Sequence, residues 1–275
     1  MVVGAGFASG REITDYFLLY GERWKTGIAV SGALFFVYTF AASYIIGKNS
    51  IKSYGEYLST IMGKRLAMFT EYVSGIFFAA MFYAMLSATG AVAEEMLSMP
   101  YIYGVLIMAA VSAVIITGGM KAMEYISIII VPILIAGICF IGAKSEPKIY
   151  IGGNGGSVVL SAVIYVSYNT ITAVAIMVNE EKSSKANGII TGILCAVAMT
   201  AMGYMIGSTI LSFDNAYKSE LPFAVAANIK YGNMLLYGAV FIAAVLTTAV
   251  CNGSAAADFI VEKTGINKKD RKSVV

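Results

Sequence analysis

Uncharged runs of apolar residues alternate along the chain with short polar connections. Seven of these runs are long enough to cross a bilayer as a helix, which takes about 20 predominantly apolar residues. The first 20 residues form an eighth apolar stretch, interrupted by Arg11, Glu12 and Asp15. The pattern predicts an all-α membrane protein, a helical bundle of about eight transmembrane segments in a single domain over residues 1–275. The seven long runs are residues 26–47, 72–93, 96–120, 125–143, 149–179, 186–213 and 231–257.

Short connections between the segments favour one compact bundle. The longer connection SFDNAYKSELPFAVAANIKYGN, between the last two segments, is expected to carry a short helix of its own. In the seventh segment, Gly188-x-x-x-Gly192 and Gly203-x-x-x-Gly207 predict faces on which another helix packs closely. The helices are expected near residues 1–20, 25–47, 66–94, 101–119, 123–143, 156–178, 186–212 and 233–261.

Composition excludes several classes of protein. The chain is 59% hydrophobic and 13% charged, whereas soluble domains carry about twice that share of charge. It has no histidine, so imidazole metal sites and histidine-based catalysis are excluded. The three cysteines lie inside apolar runs, where a disulfide framework is not expected. An enzyme is therefore the least expected class, and neither an organic cofactor nor a nucleic-acid partner is predicted.

The distribution of lysine and arginine predicts the orientation in a bacterial inner (plasma) membrane, because basic loops stay in the cytoplasm. Alternate loops hold twelve basic residues on one side and six on the other. The richer set predicts the cytoplasmic side, which then includes both termini of this chain. The first segment is short and the chain ends soon after the eighth, so we expect a piece of a longer protein. The twelve are Lys48, Lys52, Lys64, Arg65, Lys121, Lys182, Lys185, Lys263, Lys268, Lys269, Arg271 and Lys272.

The opening stretch MVVGAGFASGREI supports two interpretations. Gly4 and Gly6 partly match the glycine-rich turn of a dinucleotide-binding fold, but Ser9 occupies the third glycine position. In a membrane protein, the same glycines favour a helix that breaks within the bilayer. Ser9 and Glu12 match the capping box S-x-x-E, which predicts that a second half-helix begins here. The alternative is that the glycines only allow close packing.

Backbone groups freed by a break in a membrane helix are tolerated where they line a cavity. A second break is predicted in the sixth segment, AVIYVSYNTITA, because serine and asparagine compete with the helical backbone for hydrogen bonds. It is placed near residues 167–169. The alternative is that these polar side chains merely bond a neighbouring helix. Predicted substrate contacts are Gly4, Ala5, Gly6, Phe7, Ala8, Ser9 and Gly10 from the first break, and Tyr165, Ser167, Tyr168 and Asn169 from the second.

With these two motifs, MVVGAGFASGREI and AVIYVSYNT, the chain resembles the YkvI-like bacterial membrane proteins. That family is similar to the amino acid/polyamine/organocation and neurotransmitter:sodium symporter superfamily. The resemblance implies a truncated fold of two inverted five-helix repeats, with helices 1 and 6 broken. Residues 1–143 would form the first repeat and residues 144–275 a partial second repeat, helices 6–8, with two further helices missing from the fold.

The resemblance also implies a sodium site between the first and eighth helices. Its ligands would be the carbonyls of Val3 and Ala244 and the hydroxyls of Thr247 and Thr248, an oxygen-only set that suits a hard cation. The alternative is that both threonines bond back to their own helix. Helix three lines the cavity in the superfamily, so Tyr83 is added to the predicted substrate contacts.

The expected function is secondary active transport of a small organic solute, for example an amino acid, coupled to sodium or protons by alternating access. The alternative is a membrane receptor of the same fold that senses a solute without moving it. The expected partners are the solute and the lipid bilayer. Sodium is the only metal ion implied, and the sequence does not fix the oligomeric state.

Overall fold

The structure is a computed structural model that describes residues 4–152, 155–178, 185–232 and 234–264. Over these residues it is all-helical. The α-helices are α1 Ala5–Ser9, α2 Arg11–Tyr16, α3 Trp24–Asn49, α4 Tyr54–Met62, α5 Lys64–Leu97, α6 Tyr101–Thr117, α7 Gly119–Gly142, α8 Val158–Met177, α9 Lys185–Ile210, α10 Pro222–Tyr231 and α11 Met234–Thr264. Short 3₁₀ helices cover Leu18–Arg23 and Ala216–Lys218.

Within the described residues, six helical spans are long and apolar enough to cross a membrane. They include α3, α5, α7, α8, α9 and α11, and they identify a multi-pass membrane protein. The apolar helix α6 has 17 residues, which at 1.5 Å per residue gives about 25 Å, less than the usual hydrocarbon thickness. Large apolar side chains such as Val114 and Ile128 point outward from α6 and α7, as lipid-facing residues do. These six spans support the membrane assignment, whereas the predicted number of eight segments stays a prediction.

The long helices pack in pairs, and α11 is the most buried of the six spans, with 72% of its apolar stretch buried. Helix α3 lies along α9, and α5 lies along α11. Helix α9 lies close to α3 because glycines occupy the contact positions. Gly188 packs on Ser43, and Gly192 packs on Phe36. The other two glycines of the seventh segment also face α3, at Ile28 and Trp24. The predicted close-packing faces are therefore confirmed.

The first predicted break is present at Gly10, which separates α1 from α2. Gly10 adopts a left-handed conformation, with φ of 78°, and it ends α1 and begins α2. The predicted capping box is wrong, however, because α2 has no side-chain cap. The Ser9 hydroxyl instead donates to the Gly6 carbonyl at 2.7 Å and accepts from the Arg11 amide at 3.1 Å. This leaves the Glu12 side chain free to turn toward α1.

The second predicted break is absent, because α8 runs without interruption from Val158 to Met177. The polar side chains of this stretch bond to carbonyls one turn earlier in their own helix. Ser167 donates to Val163 at 2.7 Å and Asn169 donates to Tyr165 at 3.0 Å. Their hydrogen-bonding capacity is met without opening the backbone, which corrects the prediction.

Two short helices lie in the connections between long ones. Helix α10 confirms the helix predicted in the last long connection, whereas α4 was not predicted. A capping arrangement starts α4: the Ser53 hydroxyl accepts from the Glu56 amide at 3.2 Å, and the Glu56 carboxylate accepts from the Lys52 amide at 2.9 Å. Each short helix therefore stands between two long ones, α4 between α3 and α5 and α10 between α9 and α11.

A charged cluster joins one end of α4, α5 and α11. Glu71 is buried, with 6% of its surface exposed, and its carboxylate lies 2.7 Å from the Lys263 ammonium. The Ser53 hydroxyl donates to Glu262 at 2.9 Å. Gly55 gives the Glu71 carboxylate the room it occupies against α4. The end of α11 is thus tied to α4 and α5, which are distant from it in sequence.

Candidate functional site

A small cavity lies where α1, α2, α5, α8 and α11 meet. Its volume is about 40 Å³, enough for about three water molecules. The lining residues are Gly4, Ala5, Gly6, Glu12, Phe77, Met81, Met85, Tyr168, Asn169, Thr172, Thr248, Cys251 and Asn252. Backbone from the broken helix and polar side chains from two continuous helices therefore face the same space.

The α1 wall depends on two glycines. A side chain at Gly4 would start 2.9 Å from the Thr248 hydroxyl, and one at Gly6 would overlap the Glu12 carboxyl. The Ala5 amide donates to the Thr248 hydroxyl at 3.1 Å. The absence of side chains thus lets α1 lie directly against α11 and lets Glu12 fold back over α1.

Glu12 is the acidic residue of the cavity. It is partly buried, and its carboxyl interacts with the Tyr168 hydroxyl from α8. The Tyr165 hydroxyl lies near the same carboxyl but is buried and completes no hydrogen bond of ordinary geometry. Arg11 points elsewhere, with its guanidinium 2.9 Å from Asp15 and 3.3 Å from a carbonyl oxygen in the loop before α10. No lysine or arginine among the residues that the structure describes forms an ion pair with Glu12.

The wall between α8 and α11 is a short hydrogen-bonded chain. Thr172 donates to the Asn252 side-chain carbonyl at 3.1 Å, and the Asn252 amide group donates to the Thr248 backbone carbonyl at 2.9 Å. Most of these polar atoms therefore already have a protein partner. The arrangement holds α8 and α11 in register on either side of the cavity.

The residues predicted to bind sodium are only partly brought together. Thr248 lines the cavity, whereas Thr247 does not, and both hydroxyls donate to the Ala244 carbonyl at 2.9 Å. In this conformation both threonines therefore bond to their own helix, as the alternative interpretation predicts. Val3 lies outside the described residues. Among the residues that are described, no group of three acidic or cysteine side chains is placed to hold a metal ion.

Five of the predicted substrate contacts line the cavity: Gly4, Ala5, Gly6, Tyr168 and Asn169. The other seven do not line this cavity, so their role as substrate contacts stays a prediction. Phe7 and Ala8 are in the hydrophobic core, Ser9 bonds within α1, and Gly10 packs on Ile210 and Phe223. Tyr165 is fully buried in an aromatic cluster, Ser167 is exposed, and Tyr83 has 74% of its surface exposed on α5.

Neither Glu12 nor most of the contribution from continuous helices is among the predicted site residues. A signal was present, because residues three and four apart share one helix face. Tyr165, Tyr168, Asn169 and Thr172 follow this spacing in α8, and Thr248, Cys251 and Asn252 follow it in α11. Phe77, Met81 and Met85 repeat every four residues in α5. If α8 is taken as a continuous helix, the spacing of three and four residues predicts the polar helix face that lines the cavity.

We expect Thr248→Ala to destabilise the protein more than Thr247→Ala. Thr248 accepts the Ala5 amide across the α1–α11 contact, whereas Thr247 bonds only within α11. Loss of that acceptor leaves an amide unpaired, which costs about 1–2 kcal/mol. Thermal unfolding of both variants in detergent measures the difference, and equal melting temperatures would show that the bond between α1 and α11 contributes nothing.

Comparison with known proteins gives two similar chains from Bacillus subtilis (strain 168). The chain is 27% identical over 265 residues to a protein named "Uncharacterized membrane protein YkvI", covering 91% of this chain and 75% of that protein. It is 25% identical over 264 residues to "Uncharacterized protein YyaD", covering 90% of this chain and 75% of that one. No protein-family model matches the chain. The chain is therefore similar, over most of its length, to a bacterial membrane protein.

Proposed function

We propose that the protein is a secondary transporter of a small organic solute, with an amino acid as the first class to test. The observation that carries the proposal is the cavity at the broken first helix, enclosed by helices of membrane-spanning length. Breaks of this kind occur in transporters where backbone groups meet a substrate or ion at mid-membrane depth. The lining offers backbone, a carboxyl, a phenol and amides, which suit a small polar solute.

The order of helices supports two inverted repeats. The series α3, α4, α5 is long, short and long, and the series α9, α10, α11 repeats it. Helix α3 packs on α9 and α5 packs on α11, so corresponding members of the two series lie together. This pairing is expected when two related units face each other across a pseudo-two-fold axis.

A volume of about 40 Å³ is small beside ligand pockets, which usually measure about 300 Å³ or more. We infer that this conformation is closed and that the solute enters after α1 and α2 move relative to α8 and α11. Gly10 is the point at which such a movement needs least distortion, since its backbone is already outside the helical range.

The test is uptake by the purified chain in lipid vesicles, with a panel of labelled amino acids under a sodium gradient, a pH gradient or neither. We expect accumulation of at least one solute under one gradient. Tyr168→Phe, at the cavity, should reduce it at least threefold, and Tyr83→Phe, on the outer surface, should not. Binding without accumulation would instead identify a solute-sensing receptor.

The proposed sodium site at Thr248 predicts a separate result for solute binding. If Thr248 holds the ion, Thr248→Ala removes the sodium dependence of solute binding, and Thr247→Ala weakens it less because Thr247 lies off the cavity. Equilibrium binding at constant pH, with sodium replaced by choline, measures both. Unchanged sodium dependence in Thr248→Ala would exclude this site.

A further inference from the structure

Glu12 lies at the junction of three elements that have to move relative to one another if the cavity is to open. It belongs to α2, its carboxyl fills the space that the missing side chain of Gly6 leaves on α1, and it contacts Tyr168 of α8. A change at this carboxyl therefore acts on both halves of the broken helix and on α8 at once.

An ionised carboxylate within a membrane protein needs a compensating charge, because taking it out of water is strongly unfavourable. The titratable groups that face Glu12 are Tyr165 and Tyr168 from α8 and, across the cavity, Cys251 from α11. From its own helix, Tyr16 and Asp15 are near, and Asp15 is paired with Arg11. The lining residues of α1 and α5 are apolar or glycine. Over the described part of the chain, no positive side chain compensates Glu12.

Several of the cavity's oxygen atoms that would bind a metal cation already take part in hydrogen bonds within the protein. The Thr248 hydroxyl already donates to Ala244 and accepts from Ala5, and the Asn252 carbonyl accepts from Thr172. A hard cation takes several oxygen ligands, whereas a proton needs only the carboxylate itself. The geometry therefore favours the proton as the ion that neutralises Glu12.

We propose that Glu12 is the proton-binding residue of the cavity and that its protonation couples solute movement to a proton gradient. The coupling rests on the proposed transport function, whereas the proton binding does not. A proton from water forms an O–H bond with one carboxylate oxygen, which leaves a neutral acid. When that bond breaks, the proton returns to water on the other side of the membrane and the carboxylate regains its charge. Each change alters the contact between the broken helix and Tyr168.

Proton binding is tested on the purified full chain by infrared difference spectroscopy between about pH 4 and about pH 9, on either side of the ordinary carboxyl range. Wild type and Glu22→Gln, which removes an exposed carboxyl, should share the C=O band of a poorly hydrated carboxylic acid. Glu12→Gln should lack that band, and Glu12→Asp should shift it without removing it. The proposal is overturned if Glu12→Gln keeps the band, or if sodium removes it from wild type at constant pH.

Coupling is tested in vesicles with whichever labelled amino acid wild type accumulates. Glu12→Gln should lose at least tenfold of its accumulation under a pH gradient, and what remains should no longer depend on that gradient, while Glu22→Gln keeps the wild-type accumulation. Accumulation by Glu12→Gln at the wild-type level would exclude coupling through Glu12 while transport stands. If wild type moves no solute but shows the infrared band, the transport function fails and the proton site stands.

Discussion

Gly10→Ala is expected to lower the free energy of unfolding by about 3 kcal/mol. Two costs add. An alanine at φ of 78° carries a left-handed strain of about 1–2 kcal/mol. Its Cβ would also lie 2.9 Å from the Phe223 Cβ and 3.1 Å from the Phe223 backbone nitrogen, and overpacking of this kind costs about 1–3 kcal/mol.

Gly232→Ala is the matched control. Gly232 ends α10 with φ of 64° and ψ of 18°, in the same left-handed region as Gly10, yet no atom of a neighbouring residue lies within 4 Å of the position of its missing Cβ. Only the conformational cost of about 1–2 kcal/mol therefore remains. Thermal or denaturant unfolding in detergent compares the two variants. If both lose the same stability, packing against α10 does not hold the break in place.

Tyr165→Ala is expected to cost about 3–4 kcal/mol, in the range for emptying a buried aromatic site. Tyr165 has 1% of its surface exposed, and its ring lies 5.2 Å from that of Phe17, 6.0 Å from Phe35 and 5.7 Å from Tyr168. Loss of the ring removes the common contact of α3, α8 and the chain that follows α2. The cavity wall at Tyr168 then loses its support.

Tyr165→Phe keeps the ring and removes the hydroxyl, so it separates their contributions to stability. That hydroxyl completes no hydrogen bond of ordinary geometry, so its removal should change stability by less than about 0.5 kcal/mol. Unfolding of both variants under the same conditions provides the measurement. A loss in Tyr165→Phe as large as in Tyr165→Ala would contradict a packing role and indicate that the hydroxyl is bound.

The sequence predicted the first break because three glycines within seven residues are hard to explain in a continuous helix. It misplaced the cap because S-x-x-E describes only local bonds. At residues 9–12 the pattern is overridden, since Glu12 interacts with Tyr168 of a distant helix and Ser9 bonds Gly6. At residues 53–56 the same pattern occurs on the surface and caps α4, because the distant Glu262 only accepts from the Ser53 hydroxyl and leaves its oxygen available to the Glu56 amide.

The polar residues of α8 predict a break, whereas the helix is continuous, and the difference has a physical reason. In hydrocarbon, a threonine, serine or asparagine side chain bonds a carbonyl of the preceding turn at little cost. Opening the backbone would instead leave several groups without partners. Whether a polar stretch breaks a helix therefore depends on what the neighbouring helices offer, and the sequence of the segment alone does not contain that information.

Helix α11 is held differently by its two neighbours. At one end of the bundle, the buried Glu71 and the partly exposed Lys263 form an ion pair that ties α5 to α11, and loss of Lys263 would leave the Glu71 carboxylate buried without its partner, which is strongly unfavourable. Toward the broken helix, side-chain hydrogen bonds between α1 and α11 number two among the described residues, at 3.1 and 3.5 Å, each worth about 1 kcal/mol. We therefore expect α1 to move away from α11 more readily than α5 does.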